Sequence, residues 1–188
     1  MIKALITDFD GTLVDTFEAN FKAYKEAFNY VGKNITEEVY RKCFGFRFER
    51  FMEEMSIHDE ETRNTIKEIK KNVYPKYFNF LRPNNSLISL IESFKAMGGK
   101  TAIASTARKE NLMNAVEYLD IAQHFDLIFA GVDVKQGKPS PEIYIKAMEV
   151  LKVTPKETMI FEDSQVGIIA AKESGAQYIV VTEEWFKK

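Results

Sequence analysis

The sequence predicts an α/β protein: a doubly wound parallel sheet that carries an inserted helical bundle. Three observations predict it. From Pro83 onward, short β-rich runs alternate with helical patterns, the rhythm of a parallel sheet with helices on both faces and right-handed crossovers. Between the first strand and that alternation, residues 15–81 show helical spacing and almost no strand signal. Finally, Asp8, Ser105, Gly131, Glu162 and Asp163 all fall at or just past the ends of expected strands, which is where open parallel sheets gather their ligands.

The elements follow in order. Ile2-Lys3-Ala4-Leu5-Ile6-Thr7 is a short β-rich run that reads as a buried strand. Residues 18–31 carry Phe21, Tyr24, Ala27, Phe28 and Val31 at helical spacing, with Gly32 as the stop. Thr36 caps a second helix that ends near Gly45, and residues 48–55 form a third. Residues 59–81 form a long fourth helix that Pro75 interrupts or kinks. Beyond Pro83 the expected helices cover 86–97, 109–119, 141–151 and 166–174, and the expected strands 100–104, 127–130, 159–161 and 178–181. Residues 1–14 and 82–188 thus form the α/β core, and 15–81 a helical domain set into it.

At 188 residues and 45% hydrophobic content, the chain can build one good core, or a core and a small accessory domain. The formal net charge of -2 gives no global basis for a nucleic-acid or membrane surface. No apolar run approaches the roughly 20 residues of a membrane span, and the chain enters its first strand without the basic, apolar and cleavage regions of a leader. The single Cys43 precludes an intramolecular disulfide and suits a reducing compartment. The expectation is a soluble cytoplasmic protein, monomeric by default, with neither nucleic acid nor membrane as a partner.

The chemistry begins at Asp8-Phe9-Asp10-Gly11-Thr12-Leu13-Val14-Asp15-Thr16. Alternation along an extended chain sends Asp8 and Asp10 to the same side, and Gly11 lets the backbone turn sharply beyond them. Two carboxylates that close repel each other unless a cation or a shared proton lies between them. The plainer reading is a strand end with two solvated acids and a turn glycine.

This nine-residue run resembles the first motif of the haloacid dehalogenase superfamily. Three further stretches match in the family's order: Ile103-Ala104-Ser105-Thr106, Gly137-Lys138-Pro139-Ser140-Pro141-Glu142, and Phe161-Glu162-Asp163-Ser164-Gln165-Val166-Gly167. The likeness covers nearly the whole chain and is nearest to the phosphatases and phosphoglucomutases with a helical cap. It implies a Rossmann-like core, with residues 15–81 as the cap.

The resemblance also implies roles. Asp8 is the nucleophile that forms an aspartyl-phosphate, and Asp10 is general acid and base, with a second metal ligand or a turn cap as its plainer reading. Glu162 and Asp163 follow an apolar strand and supply hard oxygens suited to Mg2+, shared with Asp8 and Asp10. Asp163 is expected as a direct ligand, and Glu162 as a direct ligand or one water removed. Ser105 and the amide of Thr106 donate to phosphate oxygens, and Lys138 turns its ammonium toward phosphate and Asp8. Arg108 is either a substrate contact or a solvated helix start. Asn20 and Arg47 are the candidate specificity residues of the cap.

Three positions depart from the phosphoglucomutase pattern. Asn20 stands where a His is expected, Arg47 is displaced by one in Gly45-Phe46-Arg47-Phe48, and the second motif reads Ser105-Thr106-Ala107. The expected function is therefore Mg2+-dependent hydrolysis of a small phosphorylated metabolite, with a β-phosphoglucomutase-like mutase as the alternative. A signalling receiver domain shares the sheet type and an acidic pocket, but it lacks a large helical insert after strand one. A non-catalytic regulatory protein on this fold is the remaining reading.

Overall fold

The computed structural model describes residues 1–187. Among them, seven strands form in chain order: β1 Ala4–Thr7, β2 Val14–Asp15, β3 Arg82–Pro83, β4 Lys100–Ala104, β5 Leu127–Phe129, β6 Thr158–Glu162 and β7 Gln177–Val180. The α-helices are α1 Phe17–Tyr30, α2 Glu37–Cys43, α3 Phe48–Glu54, α4 Glu60–Val73, α5 Asn85–Ala96, α6 Lys109–Tyr118, α7 Glu142–Leu151 and α8 Gln165–Glu173. Two compact units result, one of Met1–Asp15 with the residues from Arg82 onward, the other of Thr16–Leu81.

The first unit is built on a five-stranded parallel sheet in the order β5-β4-β1-β6-β7. All four residues of the central strand β1 are buried, as a strand covered on both faces requires. The register sets Thr7 opposite Ile103 of β4 and Phe161 of β6. Period-two alternation then divides the faces. Ala4, Ile6, Ala102, Ala104 and Ile160 pack in one cluster with Ile143, Tyr144, Ala147 and Met148 of α7 and Ala170 and Ala171 of α8. Continuing the same parity two residues on from Ile6 and Ile160 brings Asp8 and Glu162 to this face, at the carboxyl ends of adjacent strands. The apolar stripe of α7 and α8 therefore fixes the level at which the acids stand.

Beyond Asp8 the chain turns back through Gly11, and β2 then pairs antiparallel with β3, Val14 opposite Pro83 and Asp15 opposite Arg82. Arg82 also forms an ion pair with Asp15. This two-stranded sheet has no counterpart in the sequence expectations, because two residues are too few to show a period.

The unit Thr16–Leu81 is helical. Thr36 and Asp59 cap α2 and α4, accepting from the amides of Val39 at 3.3 Å and Thr62 at 2.7 Å. Phe17, Phe21, Tyr24, Tyr40, Phe44 and Phe51 meet ring to ring at centroid distances of 5.0 to 6.3 Å. Aromatic pairs in such stacked, tilted and edge-on geometries knit α1, α2 and α3 together. The interruption expected near Pro75 in the helical run 59–81 takes the form of a change of helix type: α4 stops at Val73, and Tyr74–Phe80 is a 3-10 helix with Pro75 in its first turn. Proline has no amide to donate and its ring crowds the carbonyl of the preceding turn, so the chain changes helix type there.

Candidate active site

The site grows from three strand ends. The amide of Asp8 donates to the carbonyl of Phe161 at 3.0 Å, so Asp8 continues the β1–β6 pairing and stands level with Glu162. The following turn is closed by Val14 N–H to Phe9 O at 2.9 Å and Gly11 N–H to Val14 O at 2.8 Å. Gly11 has φ 89°, and a Cβ there would lie 2.3 Å from Asp163 Oδ2. Glycine is thus required twice over, for the conformation and for the approach of the carboxylate.

Lys138 reaches this point from the loop before α7. Its Nζ is 2.6 Å from Asp8 Oδ1 and 2.5 Å from Glu162 Oε1, and its side chain is 3% exposed. The loop is clamped by Glu142, whose carboxylate accepts from the amides of Lys135 at 3.0 Å and Gln136 at 2.7 Å and pairs with Lys146 at 3.0 Å. Two amide donors acting on one carboxylate hold the Glu142 pKa at about 2.

Glu162 is wholly buried and heavily bonded. Its Oε1 accepts from Lys138 Nζ and, at 2.7 Å, from the phenol of Tyr144. Its Oε2 accepts from the amides of Asp163 and Ser164 and the hydroxyl of Ser164, at 3.0, 3.1 and 3.2 Å. Ser164 also caps α8 through Gly167 N–H at 3.1 Å, and a Cβ on Gly167 would lie 1.9 Å from Glu162 Oε1. Asp163 points elsewhere and accepts from Thr12 Oγ1 at 2.7 Å.

Burial, then repulsion from Glu162, Asp163 and Asp10, pushes the Asp8 carboxyl up against the pull of Lys138. Burial likewise raises Asp163 to about 6, against the hydrogen bond from Thr12. Burial disfavours the ammonium of Lys138, but Asp8 and Glu162 outweigh it and hold its pKa well above the usual lysine range. Of the residues expected to hold metal, Asp8, Glu162 and Asp163 bring carboxylate oxygens within 4.8 Å of one another. Three carboxylates against one ammonium is a deficit of positive charge, and hard oxygens at this spacing suit a divalent cation such as Mg2+. The residues fit the ion. Glu162 already takes five protein donors, so Asp8 and Asp163 are the better placed to face it.

The other expected site residues distribute as follows. Asp10 lies close enough to Asp8 to act on its charge, in a bridge with Val14. Ser105 follows β4, is buried, donates its amide to Phe129 O at 3.0 Å and accepts at Oγ from Ala107 N–H at 3.0 Å. Thr106 leads into that turn, and its carbonyl would be 2.6 Å from a Cβ at Gly131. Arg108 precedes α6, with Glu110 at 3.8 Å. Asn20, buried on α1, and Arg47, just before α3, belong to the inserted unit.

Three motifs at strand ends of one sheet, with the lysine of a fourth bridging the first and last, carry the decisive likeness: residues 5–181 match the haloacid dehalogenase-like hydrolase family. The chain belongs to it. As a haloacid dehalogenase-like hydrolase it is similar to a phosphorylated carbohydrates phosphatase of Thermotoga maritima, 33% identical over 95% of this chain and 84% of the relative. Its fold is similar to CbbY from Rhodobacter sphaeroides, solved in complex with phosphate (TM-score 0.86, 28% identity, covering 100% of this chain and 89% of that one). It also resembles β-phosphoglucomutase from Clostridium difficile (TM-score 0.84, 26% identity, covering 99% and 87%).

Within this haloacid dehalogenase-like site, sequence reasoning passed over Tyr144 and Thr12. Tyr144 sits in the buried stripe of α7 with Ile143, Ala147 and Met148. A tyrosine in an apolar stripe carries a hydroxyl that must find a partner once buried, and that is the signal its sequence position offered. Thr12 was quoted inside the first motif, but no local pattern connects it with Asp163, 151 residues away. Among the described residues, no helix is long and apolar enough to cross a membrane.

Proposed function

We propose that this hydrolase is a Mg2+-dependent phosphatase of a small phosphorylated metabolite, working through an aspartyl-phosphate on Asp8. One observation carries the reading: the Lys138 ammonium lies between Asp8 and Glu162 at 2.6 and 2.5 Å, inside a buried acidic cluster. A cation fixed beside a carboxylate screens it from an incoming phosphate, which two bare anions could not achieve. The similarity to a phosphorylated carbohydrates phosphatase supports a phosphorylated sugar as the substrate class.

In this reading an oxygen of Asp8 attacks phosphorus, the phosphorus–oxygen bond to the leaving alcohol breaks, and Asp10 gives that oxygen a proton. Water then attacks the acyl-phosphate, Asp10 takes its proton, and inorganic phosphate leaves with the Asp8 carboxylate restored. Asp8 and Asp163 would hold Mg2+, which when bound offsets charge on phosphate and nucleophile. Ser105 and the Thr106 amide are the donors for phosphate oxygens, with Arg108 as a further anion contact. Asn20 and Arg47 are the proposed specificity residues of the inserted unit.

The likeness to β-phosphoglucomutase favours one second reading, in which the phosphate returns to the sugar. A single experiment separates the two: phosphate release from sugar phosphates, nucleoside monophosphates and glycerol phosphates, with and without Mg2+. β-Glucose 1-phosphate is included and followed for conversion to glucose 6-phosphate. Selective Mg2+-dependent release is the expected result. Isomerisation with little free phosphate establishes the mutase, and silence on every ester removes the phosphatase reading.

A further inference from the structure

We propose that Tyr144 is a positioning residue: by sharing Glu162 Oε1 with Lys138, its phenol keeps the ammonium turned toward Asp8. The inference rests on the reading of Asp8 as nucleophile and adds a residue to it. Oε1 accepts from Lys138 Nζ at 2.5 Å and from Tyr144 OH at 2.7 Å, while the same ammonium lies 2.6 Å from Asp8 Oδ1. The ammonium is therefore divided between two carboxylates, and the division depends on what else each oxygen accepts. A carboxylate oxygen has two lone pairs. With the phenol on one of them, Oε1 holds Lys138 less strongly than it would alone. The Oε2 atom is tied to the Asp163 and Ser164 amides, so the carboxylate has no free rotation with which to adjust. The ring adds a wall, 5.0 Å from Nζ to centroid.

Removing only the hydroxyl leaves Oε1 to Lys138 and draws the ammonium away from Asp8. Phenylalanine fills the same volume in the stripe of α7, so Tyr144→Phe isolates the hydroxyl from the packing.

The test uses beryllofluoride with Mg2+, a tetrahedral mimic of a phosphoryl group on a nucleophilic carboxylate, its affinity read by fluorine NMR in the full chain. Tyr144→Phe should fold and bind beryllofluoride about tenfold more weakly, as expected for loss of a hydrogen bond to a charged group. Ile143→Val, which trims the buried stripe of the same helix and keeps the Tyr144 hydroxyl, should bind within about twofold of wild type. Equal losses in the two variants, or none in Tyr144→Phe, would overturn the proposal. So would failure of Tyr144→Phe to fold, since the hydroxyl would then be holding the core. Wild-type binding that Asp8→Asn abolishes and Tyr144→Phe leaves intact sinks this inference alone. A wild-type chain that binds no beryllofluoride sinks the Asp8 assignment along with it.

Discussion

Lys138 and Asp8 meet at 2.6 Å although 130 residues separate them in the chain. Neither local element brings them together. The register of β1 against β6 sets the level of Asp8, and the Glu142 clamp sets the loop of Lys138. The site is therefore a product of tertiary packing, and variants that leave the packing intact report on the chemistry.

Asp8→Asn is the first such variant. It exchanges a carboxylate crowded by three others for a neutral amide of the same size, so thermal stability should hold or rise slightly. Turnover should fall at least about 10³-fold, because an amide cannot form the acyl-phosphate. Phosphate release and circular dichroism on one preparation check both halves.

Lys138→Met should behave differently. It leaves Asp8 and Glu162 facing each other in a buried space with no cation between them. Breaking a buried ion pair from one side costs about 3–5 kcal/mol. Urea denaturation without Mg2+ should show a loss of that order, together with loss of turnover. A stability equal to wild type would mean that the pair is solvated in solution.

The metal assignment separates Asp163 from Glu162. Asp163→Ala should raise the Mg2+ concentration needed for half-maximal activity at least about tenfold, and chelation should silence the wild type reversibly. An unchanged Mg2+ titration removes Asp163 from the metal site.

Gly167→Ala tests the close approach of α8 to the acid. Its methyl would fall 1.9 Å from Glu162 Oε1, so helix or carboxylate must shift. A destabilisation of about 1–3 kcal/mol is expected, read by chemical denaturation, despite the better helix propensity of alanine.

The Glu142 clamp has a pH signature. Its carboxyl sits at about 2 in the folded chain, below the ordinary 4.5. A depressed carboxyl contributes stability that is fully present above its unfolded pKa and is lost as pH falls through the folded one. The difference in melting temperature between wild type and Glu142→Gln should therefore be constant above about pH 5 and shrink between there and about pH 2. A difference independent of pH would show that the carboxylate is unpaired in solution.

The parallel sheet was legible in the sequence because burial on both faces writes continuous apolar runs, such as Ala4-Leu5-Ile6, between turn signals. The ends were not: β6 runs on to Glu162, one residue beyond its apolar run, because backbone pairing with Val180 does not depend on side-chain polarity. Pro75 was recognised as a break, but its outcome, a 3-10 helix, depends on the turns around it. The acidic residues were found from their positions at strand ends. Their division of labour was not, since the five donors on Glu162 come from four residues that no short pattern joins. Tyr144 was hidden for the opposite reason, its apolar neighbours explaining it well enough as core.

The pairing of β2 with β3 has one more consequence. Asp15 and Arg82 lie opposite each other in the same two-stranded sheet, so the chain leaves the α/β unit and returns to it at neighbouring points. The core thus spans the same short gap whatever lies between those residues, and loop-closure entropy grows only slowly with the length of an insert. In evolutionary terms this is an exchangeable socket: helices can be gained, lost or replaced between Thr16 and Leu81 without redrawing the sheet that sets Asp8 level with Glu162.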